Sequence, residues 1–303
     1  MSPFDPRRRR LLAVLAGMGL AGMLPRLPAA DASVNMRAIP ASGERLPVIG
    51  LGTWLTFDVH QPAQRLPVMQ AFFAAGGGLI DSSPMYGEAE AVVGWCLRRL
   101  GHPEGLFSAT KVWTPGVATA AGQMADSLRL WGLERLDLQQ VHNLVQWREH
   151  LETLKAWKAE GRIRHLGVTT SHGRRHDELE QIMRRQPLDF VQFTYNVIDR
   201  EAERRLLPLA AERGIAVIVN RPFRGGSLFN GVQGRPLPPW AGEIDCANWA
   251  QFFLKFIVSH PAVTCAIPAT TRVAHLDENM GAGRGRLPDA AMRRRMLAYL
   301  QSL

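Results

Sequence analysis

The chain has 303 residues, 46% hydrophobic and 21% charged, which excludes a disordered, collagen-like or polytopic membrane protein. Cys96, Cys246 and Cys265 are too few for a disulfide scaffold, and none forms a Cys-x-x-Cys pair that would suggest zinc. The net charge is +9, but its arginine runs at 184–185 and 293–295 read as solvated helix faces, so nucleic acid is not an expected partner.

In chain order, residues 1–32 come first. Arg7 to Arg10 precede an apolar run from Leu11 to Leu24, followed by Pro25, Pro28 and Ala30-Asp31-Ala32. This is the order of a secretion signal: basic region, apolar region, small-residue cleavage site. The run has 14 residues, below the ~18–20 needed to cross a bilayer. Paired arginines before a glycine-diluted apolar stretch resemble a twin-arginine signal, a route known for folded proteins. The expectation is cleavage after Ala32, a mature chain of residues 33–303, passage through twin-arginine export machinery and a periplasmic or otherwise extracytoplasmic location.

Residues 35–48 hold Ser42-Gly43-Glu44 between two short extended stretches and read as a β-hairpin. Then short apolar runs alternate with amphipathic segments. Strands are predicted at 48–54, 79–82, 106–112, 136–142, 165–169, 190–195, 215–219 and 263–267. Helices are predicted near 64–75, 89–100, 119–131, 147–159, 176–185, 200–213, 246–258 and 272–280, with a last helix at 289–303. Eight alternations predict a single (β/α)8 TIM barrel, an α/β fold, with an N-terminal β-hairpin and a C-terminal helix. An open doubly wound sheet is the alternative.

In such barrels chemistry sits at the C-terminal strand ends. Those ends carry Thr53-Trp54, Asp81, Lys111, His142, Thr169-Thr170, Gln192, Asn220-Arg221 and Thr270, with Tyr86 just after Asp81. A free tyrosine has a pKa of about 10 and is a poor proton donor at neutral pH. An ammonium beside it lowers that pKa, and a carboxylate holds the ammonium in place. Asp81, Lys111 and Tyr86 could form this relay, with His142 orienting a carbonyl oxygen. That is machinery for reducing a carbonyl, or for oxidising an alcohol in reverse.

Gly50-Leu51-Gly52-Thr53-Trp54, Ile80 to Gly87, Ala109-Thr110-Lys111-Val112 and Leu138 to His142 resemble, in order, the motifs of the aldo-keto reductase superfamily. So do Gly167 to Thr170, Gln192 to Asn196 and Ile267-Pro268. The resemblance spans residues 36–282. It implies a nicotinamide cofactor, NADPH with NADH possible, and a catalytic tetrad of Asp81, Tyr86, Lys111 and His142. It places Thr53, Thr169, Thr170, Gln192, Asn220, Arg221, Phe223, Thr270, Arg272, Glu278 and Asn279 at the cofactor. Trp54 and Trp113 are candidates for the substrate pocket. Two departures stand out. Ala269 and His275 occupy the usual phosphate-binding lysine and arginine positions, leaving Thr270 and Arg272 as phosphate ligands. Asn220 stands where an aromatic usually stacks on the nicotinamide, so Phe223 takes that role or Gln192 and Thr169 hold the ring.

The expected function is reduction of aldehydes or ketones to alcohols by hydride transfer, with a small carbonyl substrate and Tyr86 as proton donor. The alternative is a nicotinamide-binding sensor or accessory subunit on the same barrel. Gly281 to Gly285 looks like a glycine-rich phosphate loop but does not join a strand to a helix. His172 and His176 have helical ligand spacing but no partner carboxylate, so no metal site is expected.

Overall fold

The computed structural model describes residues 33–303; the expected signal segment and expected cleavage after Ala32 lie outside the described residues. The chain enters through an antiparallel hairpin, β1 (Met36–Ala38) and β2 (Arg45–Pro47). Gly43 turns it with φ +75°, a conformation that glycine adopts without a Cβ clash. The barrel begins with β3 (Leu51–Gly52) and α1 (Leu66–Ala74), then β4 (Leu79–Asp81) and α2 (Ala89–Arg99). There follow β5 (Phe107–Val112), α3 (Val117–Trp131), β6 (Leu136–Val141), α4 (Trp147–Ala159), β7 (Ile163–Thr169) and α5 (His176–Arg185). The circuit ends with β8 (Phe190–Thr194), α6 (Leu206–Arg213), β9 (Ala216–Asn220), α7 (Trp249–Val258), β10 (Cys265–Ala266) and α8 (Val273–Gly281). A last helix, α9 (Ala290–Gln301), starts at Asp289, whose carboxylate accepts the Met292 amide at 2.7 Å.

Strands β3 to β10 pair in parallel in sequence order. The ring closes through parallel bridges Ile49↔Ala266 and Gly52↔Ala269. Their bonds run from Gly50 N to Ala266 O (2.8 Å), Ala266 N to Val48 O (2.9 Å) and Gly52 N to Pro268 O (3.0 Å). This is the (β/α)8 barrel, and the open sheet is ruled out. The regular part of β3 is shorter than the predicted 48–54, because its outer residues pair with the β10 side instead of β4.

The predicted helix at 200–213 is two pieces, a 3₁₀ turn at Glu201–Glu203 and α6. Pro208 explains the break: it has no N–H and its ring would meet the carbonyl of residue 204 in a continuous helix. Starting α6 at Leu206 puts Pro208 in the first turn, where neither matters. The predicted helix at 246–258 starts later, at Trp249, because Asn248 caps it by accepting the Gln251 amide at 2.9 Å.

The barrel interior is a packed core, including Leu79, Phe107, Ala109, Leu138, Phe190, Ala216, Ile218 and Ile267. Ile39 and Leu46 of the hairpin join this cluster, so the hairpin plugs the N-terminal end. A larger apolar shell lies between strands and helices. The other end of the barrel is open.

Candidate active site

Strand alternation turns Asp81, Lys111 and Gln140 into the upper barrel, above the apolar layers. Lys111 is wholly buried. Its ammonium meets Asp81 Oδ2 at 2.5 Å and the Ser82 carbonyl at 2.7 Å. Burial opposes its charge most strongly of any one influence, but Asp81 and Tyr86 together outweigh it and raise the pKa above the ordinary lysine value. The other oxygen of Asp81 accepts from Gln192 Nε2 at 2.9 Å and Gln140 Nε2 at 3.2 Å. Asp81 is thus clamped by a cation and two amides, all from different strands.

The Lys111 ammonium lies 5.0 Å from the centroid of the Tyr86 ring. Burial pushes the Tyr86 phenol above its usual pKa, and the lowering pull of Lys111 does not overcome it. The sequence argument expected the ammonium to win; desolvation wins. In the resting site Tyr86 therefore keeps its proton. An ammonium at this distance would stabilise a phenolate there.

His142 stands edge-on to Tyr86, ring centroids 5.7 Å apart at 87°. Burial first, then the charge of Lys111, push its pKa down to about 3, so it is neutral at working pH. Its Nδ1 is 2.9 Å from Ser83 Oγ, which accepts the Met85 amide at 3.2 Å. The Ser83 hydroxyl has a second lone pair and can accept from Nδ1–H or donate to Nδ1; only the donating arrangement leaves Nε2 protonated. In that arrangement His142 can donate its Nε2 proton to a carbonyl oxygen.

Asp81, Tyr86 and His142 face a cavity of about 760 Å³, within the range of small-molecule sites. Thr53, Trp54, Thr169, Gln192, Asn220, Arg221, Phe223, Thr270, Glu278 and Asn279 line it as well. Thr170, Arg272 and Trp113 do not. Thr170 is buried behind the wall, its hydroxyl without a partner. Arg272 stands exposed at the start of α8. Trp113 is exposed because Gln123 pins its backbone, accepting from its amide (2.6 Å) and donating to its carbonyl (2.8 Å).

The structure adds residues that sequence reasoning did not single out. Gln140 lies two positions before His142 on β6, so strand alternation was the signal that could have found it. Ser83 sits inside the Ile80–Gly87 motif, but its role depends on a partner 59 positions away. Arg174 lines the cavity from the loop after β7, and no local pattern marks it; His172, weighed above only as a metal ligand, lines the cavity beside it.

Asn220 is fully engaged. Its amide nitrogen donates to the Thr170 carbonyl at 2.9 Å and to Gln192 Oε1 at 3.3 Å, and its oxygen accepts from Thr194 Oγ1 at 2.7 Å. Phe223 packs against Phe229 at 5.0 Å.

A model of the aldo/keto reductase family matches residues 48–295. The chain belongs to the aldo/keto reductase family. Among curated members, "Methylglyoxal reductase YeaE" of Escherichia coli (strain K12) is 29% identical over 253 residues, 81% of this chain and 89% of that protein. An "NADH-specific methylglyoxal reductase" of Escherichia coli (strain K12) is 26% identical, over 59% of this chain and 64% of that protein. Among solved structures, an aldo/keto reductase from Klebsiella pneumoniae in complex with NADP and acetate is 26% identical, with TM-score 0.75. The match covers 88% of this chain and 96% of that one. As an aldo/keto reductase the chain is an NAD(P)H-dependent oxidoreductase, and its own site agrees. The cavity runs from Tyr86 to Glu278 and Asn279 on α8, and Thr169, Gln192 and Thr270 put polar groups on its wall. These residues fit a dinucleotide.

Proposed function

We propose that this reductase converts aldehydes or ketones to alcohols, with Tyr86 as proton donor. The Klebsiella pneumoniae relative solved with NADP and the NADH-specific relative support NADPH as cofactor with NADH possible. The bound cofactor supplies a hydride to the carbonyl carbon. His142 Nε2–H holds the carbonyl oxygen next to the Tyr86 hydroxyl. As the oxygen gains charge it takes the Tyr86 proton, and Lys111, anchored by Asp81, stabilises the phenolate left behind. The observation that carries this reading is the buried Lys111–Asp81 pair at 2.5 Å beneath a protonated Tyr86. A sensor that only binds dinucleotide has no use for that arrangement.

Tyr86→Phe removes the proton and keeps the ring. Its carbonyl reduction should fall by about 10²-fold or more, while dinucleotide binding, read by fluorescence titration, persists. Turnover equal to the parent overturns the assignment of Tyr86. The part of the cofactor nearest the tetrad is proposed to meet Thr169 and Gln192, and the part nearest α8 to meet Thr270, Glu278 and Asn279.

We further infer export through a twin-arginine route, with the barrel closed around its cofactor before transport. The support is the arginine run before a 14-residue apolar segment and a mature chain built to hold a dinucleotide. Replacing Arg7 to Arg10 with lysine keeps the charge but removes the guanidinium groups. Fractionation should then find folded protein retained in the cytoplasm; an undiminished export rate refutes the route.

A further inference from the structure

Two arginines stand at the catalytic mouth with no ion pair among the described residues, Asp199 acting on Arg221 only from beyond ion-pair distance. Arg221 follows β9 at φ +50°, a backbone conformation that costs energy in a non-glycine residue and recurs at functional sites. Its guanidinium reaches over the end of β10 to the face of Trp54, 5.9 Å from the ring centroid. Among the described residues it has no ion pair, because the nearby Asp199 is held by Arg224 at 3.3 Å. Arg174, in the loop after β7, lines the same cavity and also has no ion pair among the described residues. His172 lines the same cavity, and both arginines act on it: burial, then Arg221, then Arg174 lower its pKa against a smaller opposing pull from Asp199. The cavity's own carboxylates do not answer them. Asp81 is paired with Lys111, and Glu278 on α8 forms no ion pair with either arginine among the described residues.

We propose that Arg174 and Arg221 form an anion grip over the mouth, and that the carbonyl substrate carries a carboxylate which they bind. The inference rests on the reductase reading and narrows its substrate class to oxo acids. Arginine suits this role, since its planar fork matches a carboxylate. Trp54 supports the Arg221 fork from below and offers an apolar face to the carbon skeleton between carbonyl and carboxylate. A phosphate of the dinucleotide has the same chemistry, and the test separates the two.

The experiment compares 4-carboxybenzaldehyde with 4-methylbenzaldehyde, a pair matched in shape and differing in charge. The wild-type chain should favour the carboxylate by 10-fold or more in kcat/KM, mainly through KM, and the preference should shrink as salt rises. Arg174→Met and Arg221→Met should each lower that preference by 10-fold or more. Dissociation constants for NADPH and NADH are measured on the same variants by fluorescence titration. If the preference survives both substitutions while dinucleotide binding weakens, the arginines serve the cofactor phosphates and the proposal is overturned. Turnover of the methyl compound with no preference in the wild type overturns the grip and leaves the reductase reading intact. Absence of turnover with both aldehydes overturns the two readings together.

Discussion

Ser83 decides what His142 can do. A neutral imidazole has one proton, and a Ser83 hydroxyl that donates across its 2.9 Å contact to Nδ1 leaves that proton on Nε2. In Ser83→Ala that bias is lost and either tautomer is open. Carbonyl reduction should fall by about 10-fold, with the loss in kcat/KM rather than in dinucleotide affinity; an unchanged kcat/KM would show that Ser83 does not set the tautomer. The depressed pKa of His142, about 3, has a consequence for the pH profile. Between pH 7 and 5 the residue takes up no proton, so kcat/KM should show no acidic limb from it. An acidic limb near pH 6.5 that disappears in His142→Gln would contradict the burial argument.

At the scale of elements, the α2–α3 contact holds the back of the site. Glu90 on α2 is buried and receives Thr110 Oγ1 at 2.6 Å, Trp131 Nε1 at 3.0 Å and Ser127 Oγ at 3.1 Å. Thr110 is the chain neighbour of Lys111, so this knot ties both helices to the strand that carries the ammonium. Gly94 makes the approach possible: a Cβ there would lie 1.8 Å from the Leu130 carbonyl oxygen. Helix propensity alone favours Gly94→Ala by about 1 kcal/mol. The clash reverses the sign, because backbone cannot move aside cheaply. Urea unfolding should show Gly94→Ala less stable than the parent by about 1–3 kcal/mol. A gain in stability would mean that α2 and α3 pack less tightly than described.

Across the whole molecule, buried neutral histidines make the barrel sensitive to acid. Burial pushes His260 down to about 4 and His142 to about 3, and lowers His165 inside the barrel as well. The unfolded chain takes up these protons near pH 6.5 and the folded chain does not. Stability is therefore full above pH 6.5 and falls as pH drops toward 4, by at most ~1.4 kcal/mol per pH unit for each histidine. Melting temperatures measured from pH 7.5 to 4 should decline through this window. A flat curve would show that these histidines ionise freely in the folded state.

Local chemistry made much of this legible before any coordinates. Alternation of apolar runs with amphipathic segments specifies strand and helix because side-chain period follows backbone geometry, and eight repeats specify a barrel. The four residues Asp81, Tyr86, Lys111 and His142 were readable because each ends a strand or follows one, and strand ends meet in a barrel. Pro208 and Asn248 carry their boundary signals in the chain itself, and the predicted helices at 200–213 and 246–258 overran them only because an apolar period was weighed above a proline and a cap. Packing decided the rest. The protonation of Tyr86 turned on whether burial or Lys111 is stronger, which depends on distance and solvent access. Asp81 is held by Gln140 and Gln192, 59 and 111 positions away. Trp113 lies outside the cavity with its backbone held by Gln123, and Arg174 and Arg221 line one cavity from loops 47 positions apart. These are relations between distant residues, and only closure of the barrel brings them into contact.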